Sequence, residues 1–493
     1  MQAIPQGLSE KENSMHILFI WPTINNSVAT HLGLGHISSL LKSKGHKVSL
    51  IRIDKEITSS RIVRGIQSIN PDLIGFSIVT NQWYYARKYA RAIKRAMDTP
   101  VIAGGVHVTT NPEEVIREPS FDYLCIGEGE YPLLELAETL SLKGNTALIR
   151  NLFLRKNGKI MRNPPRQFIH ELDSLPPCDV EMFFPQPARI ENLEIMAGRG
   201  CPYNCTYCCN HALRKTYEDI DNSFIRYRSP ENVIGEINYY LRKRSLPIKR
   251  VLFQDDIFTL NKMWLKDFCN CYRKKFSLPF TCNARVETID EENLILLKDA
   301  GCDTVTIGVE SGNEWLRTHV LKRKMTNRKI QETFDMAKKI GLGTYAFYIL
   351  GFPQETKEML EETYQFHLRL NPDRGFQIAT FYPFPGTELW DFSKEHGLIP
   401  NGKWCNTFST ADTILELPIK KDIIKVYQKF YSLWKSLAVP NEDDLKTRHP
   451  QAYPLYRFCS LILGRPWAFR LFSWVRKITK APLFIKMDCR DTA

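Results

Sequence analysis

The segment from residue 198 to residue 208 reads Gly-Arg-Gly-Cys-Pro-Tyr-Asn-Cys-Thr-Tyr-Cys. Its cysteines, Cys201, Cys205 and Cys208, follow a C-x3-C-x2-C spacing, and Tyr207 stands just before the last of them. Three thiolates on one short loop can bind three irons of a [4Fe–4S] cluster and leave the fourth iron open to a small molecule. The spacing therefore predicts an iron–sulfur site ligated by these three cysteines.

Two other interpretations of this loop fit the sequence less well. A structural zinc site needs four ligands, and no C-x2-C or H-x3-H pair follows downstream. Of the 13 cysteines only Cys125 lies within the first 150 residues, which is not the layout of a secreted disulfide framework. Cys209 adjoins Cys208, but consecutive residues seldom converge on one metal. We interpret Cys209 as a packing residue or a reactive thiol outside the site.

With its flanking glycines and Tyr207, this loop resembles the cluster loop of the radical S-adenosylmethionine (radical SAM) superfamily, and further similar motifs follow as far as residue 387. The resemblance implies that SAM binds the open iron. Two acidic residues after the second strand would suit its ammonium group, although they are also typical of strand-end caps. The residues implied to contact SAM are Asp255 and Asp256 at its amino group, Arg285 at its carboxylate, Glu310 and Ser311 at its ribose and amino-acid part, Gly351 along its adenine, and Tyr207 and Arg323 beside them.

The order of apolar runs and helical patterns predicts an α/β protein of two units. Short buried strands alternate with helices over residues 16–150, which indicates a doubly wound, Rossmann-like parallel sheet. A second series of six strands over residues 193–400 resembles the partial (β/α)6 barrel of the radical SAM family, whose site lies at the carboxyl ends of the strands. The remaining segments are a flexible leader (1–15), a connector with a strand pair (151–192) and a mostly helical C-terminal region (401–493).

The loops after the strands of the first unit carry the pattern of a ligand site. A dinucleotide fold would place G-x-G-x-x-G after the first strand, and residues 21–25 lack it. The loops instead resemble the cobalamin-binding domain that is fused in front of many radical SAM enzymes; a flavodoxin-like domain that has lost its ligand is the alternative. The residues implied to line the cobalamin site are Ser77, Val79, Thr80, Gly104, Gly105, His107, Gly127, Glu128 and Gly129.

Many such domains supply a histidine to the cobalt from a D-x-H-x-x-G motif. Aligning Gly35 with the glycine of that motif puts Thr30 and Leu32 in the places of the aspartate and the histidine, and His31 lies one position away. The resemblance therefore implies that cobalamin binds here without a histidine ligand.

The combined resemblance implies a cobalamin-dependent radical SAM enzyme. In that family a reductant such as flavodoxin or ferredoxin supplies the electron that cleaves SAM to a 5′-deoxyadenosyl radical, and methylcobalamin then methylates an unactivated carbon of a small-molecule or lipid substrate. A cyclase or oxidase without net methyl transfer, and a non-catalytic cobalamin sensor, stay open as alternatives. A methylthiotransferase is disfavoured, because it needs three further cluster cysteines in its first domain and Cys125 is alone there.

The formal net charge of +13 is concentrated towards the C-terminus. Residues 452–487 contain seven Lys or Arg residues among Trp, Phe and Leu, and no acidic residue. Such a tract is typical of an interfacial helix on an anionic membrane surface, or of a helical cap with a solvated basic face. It is too apolar for a nucleic-acid-binding arm. Without a spanning segment or a signal core, we expect a cytoplasmic protein, peripheral at the membrane if the tract binds lipid.

Overall fold

The computed structural model describes residues 14–24, 30–156, 158–184, 190–243, 246–400 and 411–437. These residues form two main sheets with helices packed on them, which confirms the predicted α/β class. Among the described helices, none is both long and apolar enough to cross a lipid bilayer. The basic tract of residues 452–487 lies outside the described residues.

The first sheet has seven strands in the order β2-β1-β3-β4-β5-β6-β7. Strands β1 to β5 are parallel, and β6 and β7 are antiparallel, so the strand pair assigned to the connector extends this sheet. The bounds are β1 (His16–Pro22), β2 (Lys47–Ile53), β3 (Leu73–Ser77), β4 (Val101–Gly104), β5 (Tyr123–Cys125), β6 (Leu152–Lys156) and β7 (Lys159–Arg162).

Helices cover both faces of this sheet, because alternate residues of its central strand are apolar on both sides. In β1, Leu18 and Ile20 belong to one hydrophobic cluster, and Ile17 and Phe19 belong to the other. The first cluster includes residues of α2 and α3, and the second includes residues of α1 and α6. The helices are α1 (Leu32–Ser43), α2 (Ser59–Ile69), α3 (Trp83–Ala96), α4 (Val106–Thr110), α5 (Pro112–Val115) and α6 (Glu130–Ser141).

The strand order locates the ligand edge of the first sheet. The chain runs from β1 outward to β2 and then returns to β3 on the other side of β1, so the order reverses between β1 and β3. Ligands of doubly wound sheets bind at the carboxyl ends of the strands beside such a reversal. The loops after β1, β3, β4 and β5 therefore border the predicted site.

The second main sheet is a half-barrel of six parallel strands in the order β8-β11-β12-β13-β14-β15, as predicted. A short antiparallel ribbon is formed by β9 and β10, with the cluster loop and one helix between them in the chain. The strands are β8 (Asn192–Ile195), β9 (Gly198–Arg199), β10 (Arg226–Tyr227), β11 (Arg250–Phe253), β12 (Phe280–Ala284), β13 (Cys302–Glu310), β14 (Gly343–Leu350) and β15 (Phe376–Thr380).

Eight helices complete the described part of the chain, and six of them pack their apolar faces on the outside of the half-barrel. The last of them is the described part of the region that the sequence predicts to be helical. The helices are α7 (Cys209–Lys215), α8 (Pro230–Arg242), α9 (Lys262–Lys275), α10 (Glu291–Asp299), α11 (Asn327–Ile340), α12 (Lys357–Leu370), α13 (Glu388–Glu395) and α14 (Lys420–Leu437).

Candidate active site

The three-cysteine loop lies between β9 and α7, at the carboxyl end of the first barrel strand. Cys201 and Cys205 are buried, Cys208 is partly accessible, and all three are free thiols. The Cys208 amide donates to the Cys205 carbonyl over 3.0 Å, which closes the loop into a turn. Thr206 Oγ1 donates to the Val320 carbonyl over 2.7 Å and ties the loop to the segment after β13.

The spacing of side chains in this loop does not suit a single metal ion. Within the described ranges, no three His, Cys, Asp or Glu side chains converge closely enough to ligate one ion. A cubane cluster places each thiolate on a different iron, so its ligands stand farther apart than those of one zinc ion. The donor set therefore fits three corners of a [4Fe–4S] cluster better than a zinc site.

Two buried guanidinium groups face the Cys205 thiol. Arg285 Nη1 lies 3.3 Å and Arg323 Nη1 lies 3.9 Å from Cys205 Sγ, and each arginine is 5% exposed. Positive charge at this position stabilises a cluster-bound thiolate. Arg285 also stacks 3.7 Å above the Tyr203 ring and donates to Glu287 over 2.6 Å, so most of its donors are already engaged. Its predicted role at the SAM carboxylate stays a prediction.

Glu310 ends β13 in an unusual backbone conformation and lies beside Arg323. Its φ angle is 65°, and a bulge interrupts the pairing of β13 with β14 at this point. A Cβ at Gly308 would lie 2.4 Å from Glu310 Oε1, so a larger residue there would displace the Glu310 carboxylate. Arg323 Nη1 lies 3.6 Å from Glu310 Oε1 and donates to Tyr207 Oη over 3.3 Å. Left-handed residues of this kind cost energy and cluster at functional sites.

Ser311 and Gly351 are held by contacts within the half-barrel. Ser311 has no exposed surface, and its hydroxyl bonds Thr363 Oγ1 and the Asn313 amide, so its predicted contact with SAM stays a prediction. Gly351 has a φ of 86° and donates its amide to the Glu355 carboxylate over 2.5 Å. Gly351 therefore shapes the turn after β14 through its backbone.

The two aspartates after β11 have different surroundings. Asp255 is buried, and its carboxylate accepts the amides of Ala197 and Gly198 over 3.0 and 2.6 Å. It therefore fixes the strand that leads into the cluster loop, as a cap would, and its predicted contact with the SAM amino group stays a prediction. Burial raises its pKa to about 7. The Asp256 side chain is exposed, but surrounding protein atoms partly desolvate its carboxylate and raise its pKa. Exposure together with partial desolvation is typical of a residue in a cleft.

At the edge of the first sheet, His31 uses both of its ring nitrogens. Nδ1 accepts the Leu34 amide over 3.1 Å, which caps α1, and Nε2 lies 2.8 Å from Ser77 Oγ. Since Nδ1 is the acceptor, Nε2 carries the proton and donates to Ser77. Burial lowers the pKa of His31 to about 4, so the ring is neutral. Thr30 and Leu32 are buried beside it.

The loops after β3 and β4 fit a ligand channel in part. Gly105 has a φ of 96°, and a Cβ there would lie 2.8 Å from the backbone of Ile78. Gly104 has room for a Cβ, because the nearest atom would lie at an ordinary contact distance of 3.6 Å. Val79 is partly accessible.

His107 and Thr80 lie together in the core of the first unit. His107 is 0% exposed, its Nδ1 lies 3.2 Å from Thr80 Oγ1, and its ring centre lies 5.3 Å from that of Trp83. Thr80 is also buried. The predicted cobalamin contacts of these two residues stay predictions.

The loop after β5 is directed at the half-barrel. The Glu128 carboxylate bonds Arg199 and Arg226, which is a contact between the two units, and its predicted contact with cobalamin stays a prediction. A Cβ at Gly127 would lie 1.7 Å from the Tyr217 hydroxyl, and one at Gly129 would lie 2.9 Å from Ile37. These arginines could not be predicted from the sequence, because no local pattern links them to Glu128.

Two family models match the chain. The model of the radical SAM superfamily matches residues 195–367, and that of the B12-binding domain matches residues 26–137. An uncharacterized methyltransferase of Pyrococcus horikoshii is 30% identical over 85% of this chain and 92% of its own length. An anaerobic magnesium-protoporphyrin IX monomethyl ester cyclase of Rubrivivax gelatinosus is 25% identical over 88% of this chain and 80% of its own length.

A solved structure supports the fold. The cobalamin-dependent SAM radical enzyme OxsB, with aqua-cobalamin and SAM bound, has a TM-score of 0.65 and 17% identity, covering 95% of this chain and 76% of that one. Fold and site together define a radical SAM half-barrel joined to a B12-binding domain. The chain belongs to the cobalamin-dependent radical SAM enzymes, and its cofactors are a [4Fe–4S] cluster, SAM and cobalamin.

The engagement of His31 leads to a spectroscopic prediction. Neither ring nitrogen keeps a free lone pair, so we expect the cob(II)alamin form to show no electron paramagnetic resonance (EPR) hyperfine splitting from an axial imidazole. The His31→Ala variant should give the same pattern of cobalt and nitrogen couplings. An imidazole splitting that disappears in His31→Ala would contradict the prediction.

Proposed function

We propose that this enzyme transfers a methyl group to carbon in a small polar molecule. The observation that carries the proposal is the meeting of the two ligand edges. Helix α4, which follows Gly105, packs on α7, which follows the cluster loop. A Cβ at Gly386 of the barrel would lie 3.0 Å from the Thr110 carbonyl of the first domain. The edge predicted to bind cobalamin therefore packs against the edge that carries the cluster loop, and direct transfer between them requires such proximity.

The residues of the chain would orient the bound groups and exclude water. When bound, the cluster and SAM supply radical chemistry, and cobalamin supplies a transferable methyl group. Arg285 and Arg323 hold the buried side of the cluster loop through Cys205. The rings of Tyr207 and Phe352, 5.6 Å apart, form an apolar wall beside it. Water-free surroundings protect a reactive radical from side reactions.

The polarity of the barrel interior supports a polar substrate rather than a lipid. Leu193 and Ile195 pack in the outer core, so Glu194 between them faces inward. Glu194 makes no hydrogen bond or ion pair with another described residue and is partly accessible. By the same alternation, polar side chains line the interior at Gln254, Thr281, Asn283, Thr306, Tyr345 and Gln377, together with the apolar Leu252, Phe347 and Ile349.

Glu194 gives a pH prediction that checks this placement. Burial raises its pKa to about 7, whereas a glutamate in the unfolded chain titrates near about 4.3. The folded protein therefore loses stability as the pH rises through 7, because it must ionise a buried carboxyl. We expect Glu194→Gln to match the wild type below pH about 4 and to be more stable by roughly 2 kcal/mol at pH about 8.

Thermal unfolding across this pH range measures the difference. Glu191→Gln is the control, because Glu191 lies on the exposed end of the same segment and pairs with Lys249. A Glu194→Gln difference that stays flat with pH would show that the carboxyl is solvated and does not face a closed interior.

Comparison of metabolites from cells with and without the gene tests the function. Methyl transfer predicts a product heavier than its precursor by one methylene, absent without the gene and restored by it. The similarity to a cyclase favours a second candidate, ring closure without methyl transfer, which would give a product that differs in hydrogen or oxygen content. That result would overturn the proposal.

A further inference from the structure

A buried charge network joins the loop of residues 127–130, here called the bridge loop, to the ribbon that leads into the cluster loop. Arg199 Nη1 lies 2.8 Å from Glu128 Oε1, and Arg199 Nη2 lies 2.5 Å from Glu130 Oε1. Arg226 Nη1 donates to both Glu128 oxygens over 2.9 and 3.1 Å. The side chain of Glu130 is 4% exposed and that of Arg226 is 6% exposed. The network therefore belongs to the interior of the interface.

The ribbon depends on these carboxylates for its charge balance. Arg199 of β9 and Arg226 of β10 are direct cross-strand partners. Like charges directly opposite each other destabilise a strand pair. The Glu128 carboxylate binds both guanidinium groups, and the Glu130 carboxylate binds the second amino group of Arg199. The negative charges of the first domain therefore balance the positive charges of the second.

The bridge loop is fixed to the barrel by shape as well as charge. The Glu128 amide donates to the Tyr217 hydroxyl over 2.9 Å, and Gly127 has no room for a Cβ beneath that hydroxyl. Phe168 stacks on Tyr217 with ring centres 3.9 Å apart, and Arg226 lies 4.4 Å above the Phe168 ring. A shift of the bridge loop therefore moves the ribbon with it.

A tightly packed glycine connects the ribbon to the first cluster ligand. Gly200 follows Arg199 with a φ of 92°, and a Cβ there would lie 2.2 Å from the Phe224 carbonyl. Cys201 is the next residue, and Asp255 holds the strand just before the ribbon. Displacement of Arg199 therefore acts on the first cluster ligand through the one tightly packed residue between them, Gly200.

We propose that Arg199 is a positioning residue that, through Glu128 and Glu130, aligns the iron–sulfur cluster with the cobalamin site and makes binding at one site strengthen binding at the other. One side of the bridge loop lies at the ligand edge of the first sheet. The carboxylates of Glu128 and Glu130 in this loop bind the ribbon of β9 and β10, which leads into the cluster loop. Coupling between two sites is reciprocal, so the effect is measurable from either cofactor. The inference rests on the two cofactor sites and not on the proposed methyl transfer.

The test uses the reconstituted holoenzyme and its Arg199→Met and Arg199→Lys variants. Pulsed EPR measures the distance between cob(II)alamin and the reduced cluster, and titration with hydroxocobalamin is done with and without the cluster. In the wild type we expect one narrow distance and a cobalamin Kd roughly fivefold or more lower when the cluster is present. In Arg199→Met we expect a broad distance distribution and the same Kd in both states, with unchanged iron content.

Controls separate this role from general stabilisation. Arg199→Lys keeps the charge but reaches one carboxylate, so it should restore part of the coupling. Lys249→Met, which breaks an exposed ion pair with Glu191, should leave both measurements as in the wild type. If Arg199→Met does not fold, Glu130→Gln replaces it and should reduce the coupling. The proposal would be overturned if the folded variant kept the narrow cobalamin-to-cluster distance of the wild type and also kept the full difference between its cobalamin Kd values with and without the cluster.

Discussion

The Cys205→Ala variant is expected to lose reductive cleavage of SAM completely. Cys205 is the central ligand of the loop, and its sulfur is the one that Arg285 and Arg323 face. A cluster held by two cysteines exchanges or loses iron, and SAM then has no open iron to bind. Release of 5′-deoxyadenosine after anaerobic reconstitution and reduction measures the loss, and iron and sulfide analysis reports the cluster content.

Cys209→Ala is the matched control for this prediction. Cys209 adjoins Cys208 and begins α7, but the C-x3-C-x2-C spacing leaves it outside the ligand set. We expect Cys209→Ala to keep the cluster and most of the cleavage. Cleavage at the wild-type rate in Cys205→Ala, or its loss in Cys209→Ala instead, would refute the ligand assignment.

The Gly105→Ala variant is expected to bind cobalamin at least about tenfold more weakly. At φ 96° and ψ −180° the backbone is in a region that only glycine adopts without strain, which costs about 1 to 3 kcal/mol. A Cβ would also lie 2.8 Å from the backbone of Ile78, in the loop after β3. Ser77 and Ile78 would have to move away from the channel. Spectroscopic titration with hydroxocobalamin measures the change in Kd.

The neighbouring glycine provides the control. At Gly104 an added Cβ makes only an ordinary contact with Cys125, so Gly104→Ala should bind cobalamin nearly as well as the wild type, whereas Gly104→Phe should fill the open space and block binding. Thermal unfolding without cobalamin shows how much of the Gly105→Ala effect is general destabilisation. Equal losses in both alanine variants would contradict the strain argument.

The sequence predicted the strands of both sheets because a buried parallel strand is a short apolar run flanked by polar loops. It also located the cluster loop, since the three ligands lie within eight residues. Long-range contacts could not be predicted in this way. The bulge and the left-handed Glu310 bring the Glu310 carboxylate beside Arg323 and leave Ser311 in the core, and neither feature has a sequence signal for a non-glycine residue.

The surroundings of two residues that are predicted to line the cobalamin site could not be inferred from the sequence for a related reason. The sequence pattern of a histidine after a Gly-Gly turn is the same whether the side chain faces a ligand or the core. Only the packing of His107 on Trp83 assigns it to the core. Glu128 lies in a glycine loop of the expected kind, but its partners Arg199 and Arg226 are 71 and 98 residues away along the chain. The basic tract of residues 452–487 stays a prediction, because it lies outside the described residues.

The central claim, methyl transfer to carbon, is tested most directly with SAM that carries a deuterated methyl group. The reduced holoenzyme is incubated anaerobically with this SAM and with a metabolite extract from cells that lack the gene, and products are followed by mass spectrometry. The account predicts a new product that carries the intact deuterated methyl group on carbon and forms together with 5′-deoxyadenosine. Release of 5′-deoxyadenosine with an unlabelled product that has only lost hydrogen or gained oxygen would contradict it.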